Sequence, residues 1–274
     1  MASRRPLVNV SGSIRELPTG DTLPGVRELL TAARTYYVRT DGSDSNTGLS
    51  NTAGGAFATI QKAVDIASAL DNGGFNVTIQ IADGTYSQSV ILKSFVGGGQ
   101  LIIAGNASSP DNVIISSGGD AISTNDGTVG TYFIKDLRLT ATGNGLYIKT
   151  GSIVLIGNLV FGTCSIHVRC EGYIRVMSSY KIIGGATYHY YIVKAEIQCN
   201  QVTLTLSGTV NFSGSFVTCV VLGLLNMFST SISGTATGKR YTVASNSVVF
   251  TNGAGANYLP GNSAGTTDSG GLYL

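Results

Sequence analysis

Short apolar runs rich in β-branched side chains recur along this chain, separated by Gly, Ser, Asn and Thr. Val77-Thr78-Ile79-Gln80-Ile81 alternates as a strand with one buried face does, and Leu101-Ile102-Ile103 and Val113-Ile114-Ile115 are short continuous runs. From residue 137 similar runs return in the same order. Leu137-Arg138-Leu139 is echoed by Leu159-Val160-Phe161, Lys181-Ile182-Ile183, Val210-Asn211-Phe212 and Ser231-Ile232-Ser233. Gly145–Lys149 and Ser152–Leu155 lie between the first two copies; Ser165–Arg169 with Gly172–Val176, then Tyr191–Lys194 with Gln201–Leu204, follow. The steps are about 20–29 residues, mostly near 22, with three strands in each. One coil cannot bury its own inward side chains, but coils stacked ~4.8 Å apart share one continuous core. The competing reading, an antiparallel β-sandwich, would show hairpin turns and no ordered three-strand repeat.

Two segments have helical spacing instead. Ile60, Ala63, Val64, Ala67 and Leu70 share one face, opposite Gln61, Lys62, Asp65 and Ser68, and Asp71-Asn72-Gly73-Gly74 stops the run. This helix, 58–70, directly precedes the first coil and is expected to cover its free strand edge. Val26, Leu29, Leu30 and Ala33 also fall on one stripe and predict a helix of about two turns, too short to stand alone. Four parts follow: 1–35, an arm with a short helix; 36–74, an entry strand at Tyr36-Tyr37-Val38, a loop and the capping helix; 75–235, the β-helix; and 236–274, C-terminal strands and a docking tail.

Composition agrees with a solenoid. Only 12% of residues are charged, against a usual ~25%, and 37 of 274 are glycine, suited to coil corners. The net charge of +2 argues against a nucleic-acid partner. No run approaches the ~18 apolar residues of a membrane span, and Arg4-Arg5-Pro6 has no apolar stretch behind it, so neither membrane insertion nor a secretory signal is expected. Cys164, Cys170, Cys199 and Cys219 form no CxxC pair and read as reduced, buried thiols; coil stacking leaves a Cys170–Cys219 disulfide as the alternative. The loop from Asp41 to Gly48 has Asn46 and Thr52 where a calcium loop needs Gly and Glu, so no metal or cofactor is expected.

Tyr37-Val38-Arg39-Thr40-Asp41-Gly42-Ser43-Asp44-Ser45-Asn46-Thr47-Gly48, followed by Phe57-Ala58-Thr59-Ile60-Gln61-Lys62-Ala63-Val64-Asp65, resembles the entry to pectate-lyase-like right-handed β-helix proteins. That resemblance implies an all-β, right-handed parallel β-helix with three short strands per coil and an N-terminal capping helix. The opening Arg5–Gly12 and Leu17–Leu23 resemble the virion-attachment ends of bacteriophage tail-fibre and tailspike proteins, and Tyr258–Gly265 with Gly270–Tyr273 is similar to C-termini of phage structural proteins. This second resemblance implies a homotrimer, held to a phage tail or capsid protein through the arm at Pro6, Leu7, Val8, Leu17, Pro18 and Leu23. It places the chain in the virion, assembled in the host bacterial cytoplasm.

Candidate chemistry is sparse. Between Asp136 and Asp268 only Glu171 and Glu196 are acidic, each two residues after a cation. If Arg169 and Lys194 are equivalent in consecutive coils, the two carboxylates stack roughly 5 Å apart, the spacing of a retaining glycosidase pair, with His167, His189, Tyr188 and Tyr190 lining the groove. The plainer reading is an exposed charge ladder. Lys149, Arg169 and Lys194, with Tyr147 and Tyr191 as stacking faces, are the candidate contacts for an anionic host-surface polysaccharide, with a solvated face as the plainer reading here too. No phosphate-loop, GxSxG, HExxH or CxxC motif is present. The favoured function is a non-enzymatic phage virion protein that contributes to host adsorption: a trimeric short tail fibre or spike, or a capsid or neck decoration fibre. The alternative is a polysaccharide depolymerase using Glu171 and Glu196.

Overall fold

The computed structural model describes residues 7–16, 26–208 and 210–274. From Arg34 onward the chain winds into a parallel β-helix of about eight turns, with three parallel sheets. The first sheet has ten strands, from Arg34–Val38 to Leu272–Tyr273. The second has seven, from Gly84–Tyr86 to Ser231–Ser233, and the third eight, from Val90–Leu92 to Thr266–Thr267. Neighbours within each sheet are successive coils, which excludes the sandwich.

Inward residues stack in register. Leu101, Tyr132, Val154, Ile174, Ile197, Leu225 and Val249 form one column through seven coils, each at most 1% exposed. Burying such a side chain stabilises by roughly 1.5–3 kcal/mol, so the repeat itself holds the stack. Thr131, Ile153, Tyr173 and Glu196 pair in succession, and the coils between them are nearly equal in length. The step from Leu101 to Tyr132 is longer, because a loop with the 3-10 turn Pro110–Asn112 is inserted. The step from Glu196 to Leu224 is longer too, accommodating the eleven-residue strand Val210–Val220. Gly238 lies within the strand Ala236–Val243 where its register against Val210–Val220 shifts; its φ is +106° and a Cβ would collide with the Phe212 carbonyl.

That long strand breaks the repeat read from sequence. Val210-Asn211-Phe212 belongs to the third sheet, and Gln201–Leu204 leads into the second-sheet strand Thr203–Leu206. The first-sheet rung of that coil is Glu196–Gln198. Stacking also continues beyond residue 235, through Ala236–Val243, Val248–Phe250 and Leu272–Tyr273.

Helix α1 (Ile60–Ser68) occupies the place of the missing second and third strands of the first coil. It buries Ile60, Ala63, Val64 and Ala67 against Arg34–Val38, Val77–Ile81 and Val90–Leu92. Its N-terminus is held by Asp44, which accepts from Ala58 N (3.0 Å), Thr59 N (2.9 Å) and Thr59 Oγ1 (2.7 Å), while Thr59 Oγ1 accepts from Lys62 N. Gln61 completes the third sheet's exposed edge: its Oε1 accepts from Ile91 N (2.7 Å) and its Nε2 donates to Ile91 O (3.1 Å). The capping role expected of this helix is therefore built from side chain to backbone.

The helix expected at Val26–Ala33 does not form. Leu29 makes a parallel bridge with Asp71, Leu30 N donates to Asp71 O (2.9 Å), and Asp71 N donates to Glu28 O (2.9 Å). Only Leu30 of the supposed stripe is buried, at 3% exposed, whereas Val26 and Leu29 stand at 64% and 61%. Two turns of isolated helix cannot compete with backbone bonds to a preformed edge. Arg27 Nη1 instead donates to the Ser68 and Leu70 carbonyls, closing the C-terminal end of α1. Leu7–Val10 and Ser13–Glu16 form an antiparallel hairpin over Ser11 and Gly12, both at positive φ. Leu7 is 69% exposed on it. Pro6, Leu17, Pro18 and Leu23 lie outside the described residues.

Cys170 and Cys219 share a column, but Ile192 sits between them, two coil spacings or roughly 9–10 Å apart and beyond disulfide reach. All four cysteines are free and buried. Burial pushes the thiols of Cys164, Cys170 and Cys219 up to about 12 and that of Cys199 to about 11.

Candidate functional site

Three outer faces and one interior cluster hold the polar chemistry of the solenoid. On the third sheet, Tyr147, Arg169 and Tyr191 stack in consecutive coils. The Arg169 guanidinium lies 4.5 Å from the Tyr147 ring centre and 5.9 Å from that of Tyr191. Its Nη2 and Nε donate to Glu171 Oε1 at 2.6 and 2.9 Å, and Tyr147 OH donates to the same oxygen at 3.1 Å. Burial opposes the charge of Arg169, yet its bonds to Glu171 hold its pKa above the ordinary arginine value. Lys149 Nζ sits 5.3 Å from the Tyr147 ring centre. This expected ligand column is assembled, but its cation and ring faces are already occupied by one another. Lys194 does not join it: it is an exposed corner residue at φ +50°.

The equivalence of Arg169 with Lys194 fails, and with it the stacked carboxylate pair. Arg169 pairs with Tyr191 on the next coil, while Glu196 pairs with Tyr173 on the first sheet. Glu171 is engaged by Arg169 and Tyr147, and Glu196 accepts from Gln198 Nε2 at 2.8 Å. Ile166–Cys170 and Ala186–Val193 pair in unbroken register, so Tyr191 stacks on Arg169 and Lys194 falls past the end of the strand.

His167 and His189, expected in a groove, are fully buried, as is Tyr190; of that group only Tyr188 is partly exposed, its ring 5.2 Å from that of Tyr191. His167 Nε2 faces Gly162 O at 2.9 Å, and the two histidine Nδ1 atoms are 3.1 Å apart. His189 Nε2 meets Tyr180 OH at 2.8 Å, Tyr180 OH meets Tyr190 OH at 2.7 Å, and Tyr190 OH lies 3.9 Å from Cys199 Sγ. Burial lowers the His167 pKa to about 3 and drives that of His189 well below 6.5, so both rings are neutral.

The second sheet carries a site the sequence reading missed. Arg138, Val160, Lys181 and Thr205 form its outward column. Asp111, on the 3-10 turn, approaches Arg138 Nη1 at 3.9 Å and Lys181 Nζ at 3.8 Å, too far for hydrogen bonds. Asp111 Oδ1, Arg138 Nε and Thr140 Oγ1 are three of the five buried side-chain polar atoms without a partner among the described residues. Beside them runs a groove of about 350 Å³ lined by Asp111, Asn158, Val160, Ser179, Tyr180 and Lys181. The neighbouring carboxylates are satisfied: Asp83 accepts from Asn106 (2.8 Å) and Asn112 (2.9 Å), and Asp136 from Asn158 (2.7 Å). Asp111 therefore lines open volume with a half-exposed carboxylate, a group suited to a hydroxyl-rich ligand, while its unpartnered Oδ1 is turned away from solvent. The signal for it was the overlong step between Leu101 and Tyr132.

The first sheet presents apolar side chains outward over part of its length, between Thr78 on one side and Arg175, Gln198 and Asn226 on the other. Ile102, Phe133 and Leu155 stack in one column, with Ile153, 46% exposed, beside Leu155. Farther along, the same face shows Leu224, Val248 and Leu272 in register. Among the described residues, no group of three His, Cys, Asp or Glu side chains is placed to hold a metal ion, and no helix is long and apolar enough to cross a membrane. Compared with known proteins, the chain matches no family model, no curated protein and no solved structure.

Proposed function

We propose that this chain is a non-enzymatic bacteriophage virion protein, a short tail fibre or spike or a capsid or neck decoration fibre, that works as a homotrimer in host adsorption. The observation that carries the reading is the difference among the three outer faces of one rigid solenoid. The first carries an apolar patch of Ile102, Phe133, Ile153 and Leu155, suited to closing against other copies. The second leaves Asp111 and Lys181 beside a groove able to take sugar hydroxyls. The third is closed on itself through Arg169 and Glu171. The hairpin bearing Leu7 and Val8 is the part assigned to the phage tail or capsid.

Analytical ultracentrifugation of the full chain should show a trimer, and Leu155→Glu should dissociate it. A stable wild-type monomer would remove the proposal. Binding to host capsule or lipopolysaccharide should weaken in Asp111→Ala with the saccharide chemically unchanged. Release of reducing sugar, lost in Glu171→Gln or Glu196→Gln, would select the depolymerase instead, although these two carboxylates lack a shared site in this fold.

A further inference from the structure

The line His167–His189–Tyr180–Tyr190–Cys199 runs through the interior of the middle coils, and the adsorption reading uses only Tyr180, which also borders the second-sheet groove. His167 and His189 are the chain's only two histidines. The proton order along the line is set at its end. Gly162 O only accepts, so the nitrogen facing it, His167 Nε2, carries the ring proton. In a neutral ring, His167 Nδ1 is then a lone pair, and His189 Nδ1, 3.1 Å away, must donate to it. His189 Nε2 is left as an acceptor for Tyr180 OH at 2.8 Å, and Tyr180 in turn accepts from Tyr190 at 2.7 Å. The Tyr190 proton is then spent, so its contact with Cys199 falls to the thiol proton. Any other uncharged arrangement sets two lone pairs or two protons face to face.

Adding protons has a sharp limit. One proton on the imidazole pair can be shared across the two Nδ1 atoms, with every bond from His189 to Cys199 reversing direction. A second proton puts two N–H groups nose to nose at 3.1 Å. The rings Phe161, Phe212 and Phe216 and the carbonyls of Gly162 and Gly185 pack around the pair. The titratable groups facing it are Tyr180, Tyr190 and Cys199, and no carboxylate or ammonium hydrogen-bonds either ring among the described residues. Nothing there compensates a cation.

We infer that the His167–His189 pair is an acid latch: the closed solenoid admits at most one proton there, the opened coils take two, and acid therefore unlocks the middle of the solenoid selectively. The coils from Val77 to Ile148 hold no histidine and have no equivalent trigger. In a solenoid each coil touches only its neighbours, so opening need not be global.

Hydrogen exchange of the full-length protein, corrected for intrinsic rates, tests this between pH 7 and 4.5. Protection of amides in 160–200 should fall by about 100-fold per pH unit below about 6 if both protons enter, or tenfold with one, while amides in 77–135 hold theirs. Parallel loss in both regions, or loss in neither, would overturn the inference. The double variant His167→Phe/His189→Phe should remove the pH dependence of 160–200, and its persistence would also overturn it. Should that variant not fold, nitrogen-15 NMR of the wild type decides: at pH 7, protons on His167 Nε2 and His189 Nδ1 support the latch, whereas both on Nε2, or uptake of two protons by the folded pair near pH 6.5, refutes it. Trimer formation and glycan binding are read separately, so the latch and the adsorption reading fail independently.

Discussion

The strand Ile166–Cys170 sends Arg169 outward and His167 inward, and the two polar clusters it joins obey opposite rules. Outside, Arg169, Glu171, Tyr147 and Tyr191 form charged and aromatic contacts that water can replace. Inside, His167, His189, Tyr180 and Tyr190 form neutral bonds that nothing can replace. The stronger-looking cluster, with its 2.6 Å ion pair, is the less important one for stability, because solvent screens it and competes for its partners. Uncharged groups sealed from water count for more, because leaving one unpaired carries the full desolvation penalty.

Perturbations of decreasing severity separate the two clusters. His189→Lys must either bury an ammonium or deprotonate it among Phe161, Phe212 and Phe216, and should destabilise by about 3–5 kcal/mol in a urea melt. A loss below about 1 kcal/mol would mean the inner site is wet. Acid comes next. Burial holds the folded pKa of His167 at about 3 and that of His189 well below 6.5, while the unfolded chain protonates both near 6.5. The unfolded state then binds more protons below that value, so stability is flat above about pH 6.5 and falls as pH drops toward 3, by about 2 kcal/mol per histidine at pH 5. Urea midpoints measured across that range check the sign. Tyr190→Phe removes one link of the line and should cost about 1–3 kcal/mol without altering the fold by circular dichroism. Smallest of all, Arg169→Ala should cost no more than about 1 kcal/mol, and a double-mutant cycle with Glu171→Ala should show coupling of the same small size that shrinks with salt.

The regular part of this molecule was legible because it is written in short repeating patterns. Alternation in Val77–Ile81 gave the buried face, the return of three runs in a fixed order gave the coil, and the Ile60–Leu70 stripe gave the cap. What failed was wherever length, rather than pattern, decides. The Val26–Ala33 stripe suits a helix, but an available strand edge takes its backbone and buries only Leu30. Lys194 resembles Arg169 in charge, yet the register of the stacked strands sets Tyr191 beside Arg169. His189 and Tyr190 are buried in succession within an irregular strand, which no alternating pattern foretells. Asp111 escaped notice because it belongs to an insertion, and a search for repeats passes over what does not repeat.

The way the chain enters the solenoid has a mechanical consequence. Arg27 grips the end of α1, Glu28 and Leu30 bond both backbone groups of Asp71, and Glu28 pairs with Arg34 at 2.6 Å. Tension arriving from the residues ahead of Val26 must break these attachments before it reaches the first rung. The leading edge of the solenoid is thus anchored by side chain and backbone together, ahead of the coil where unravelling would start.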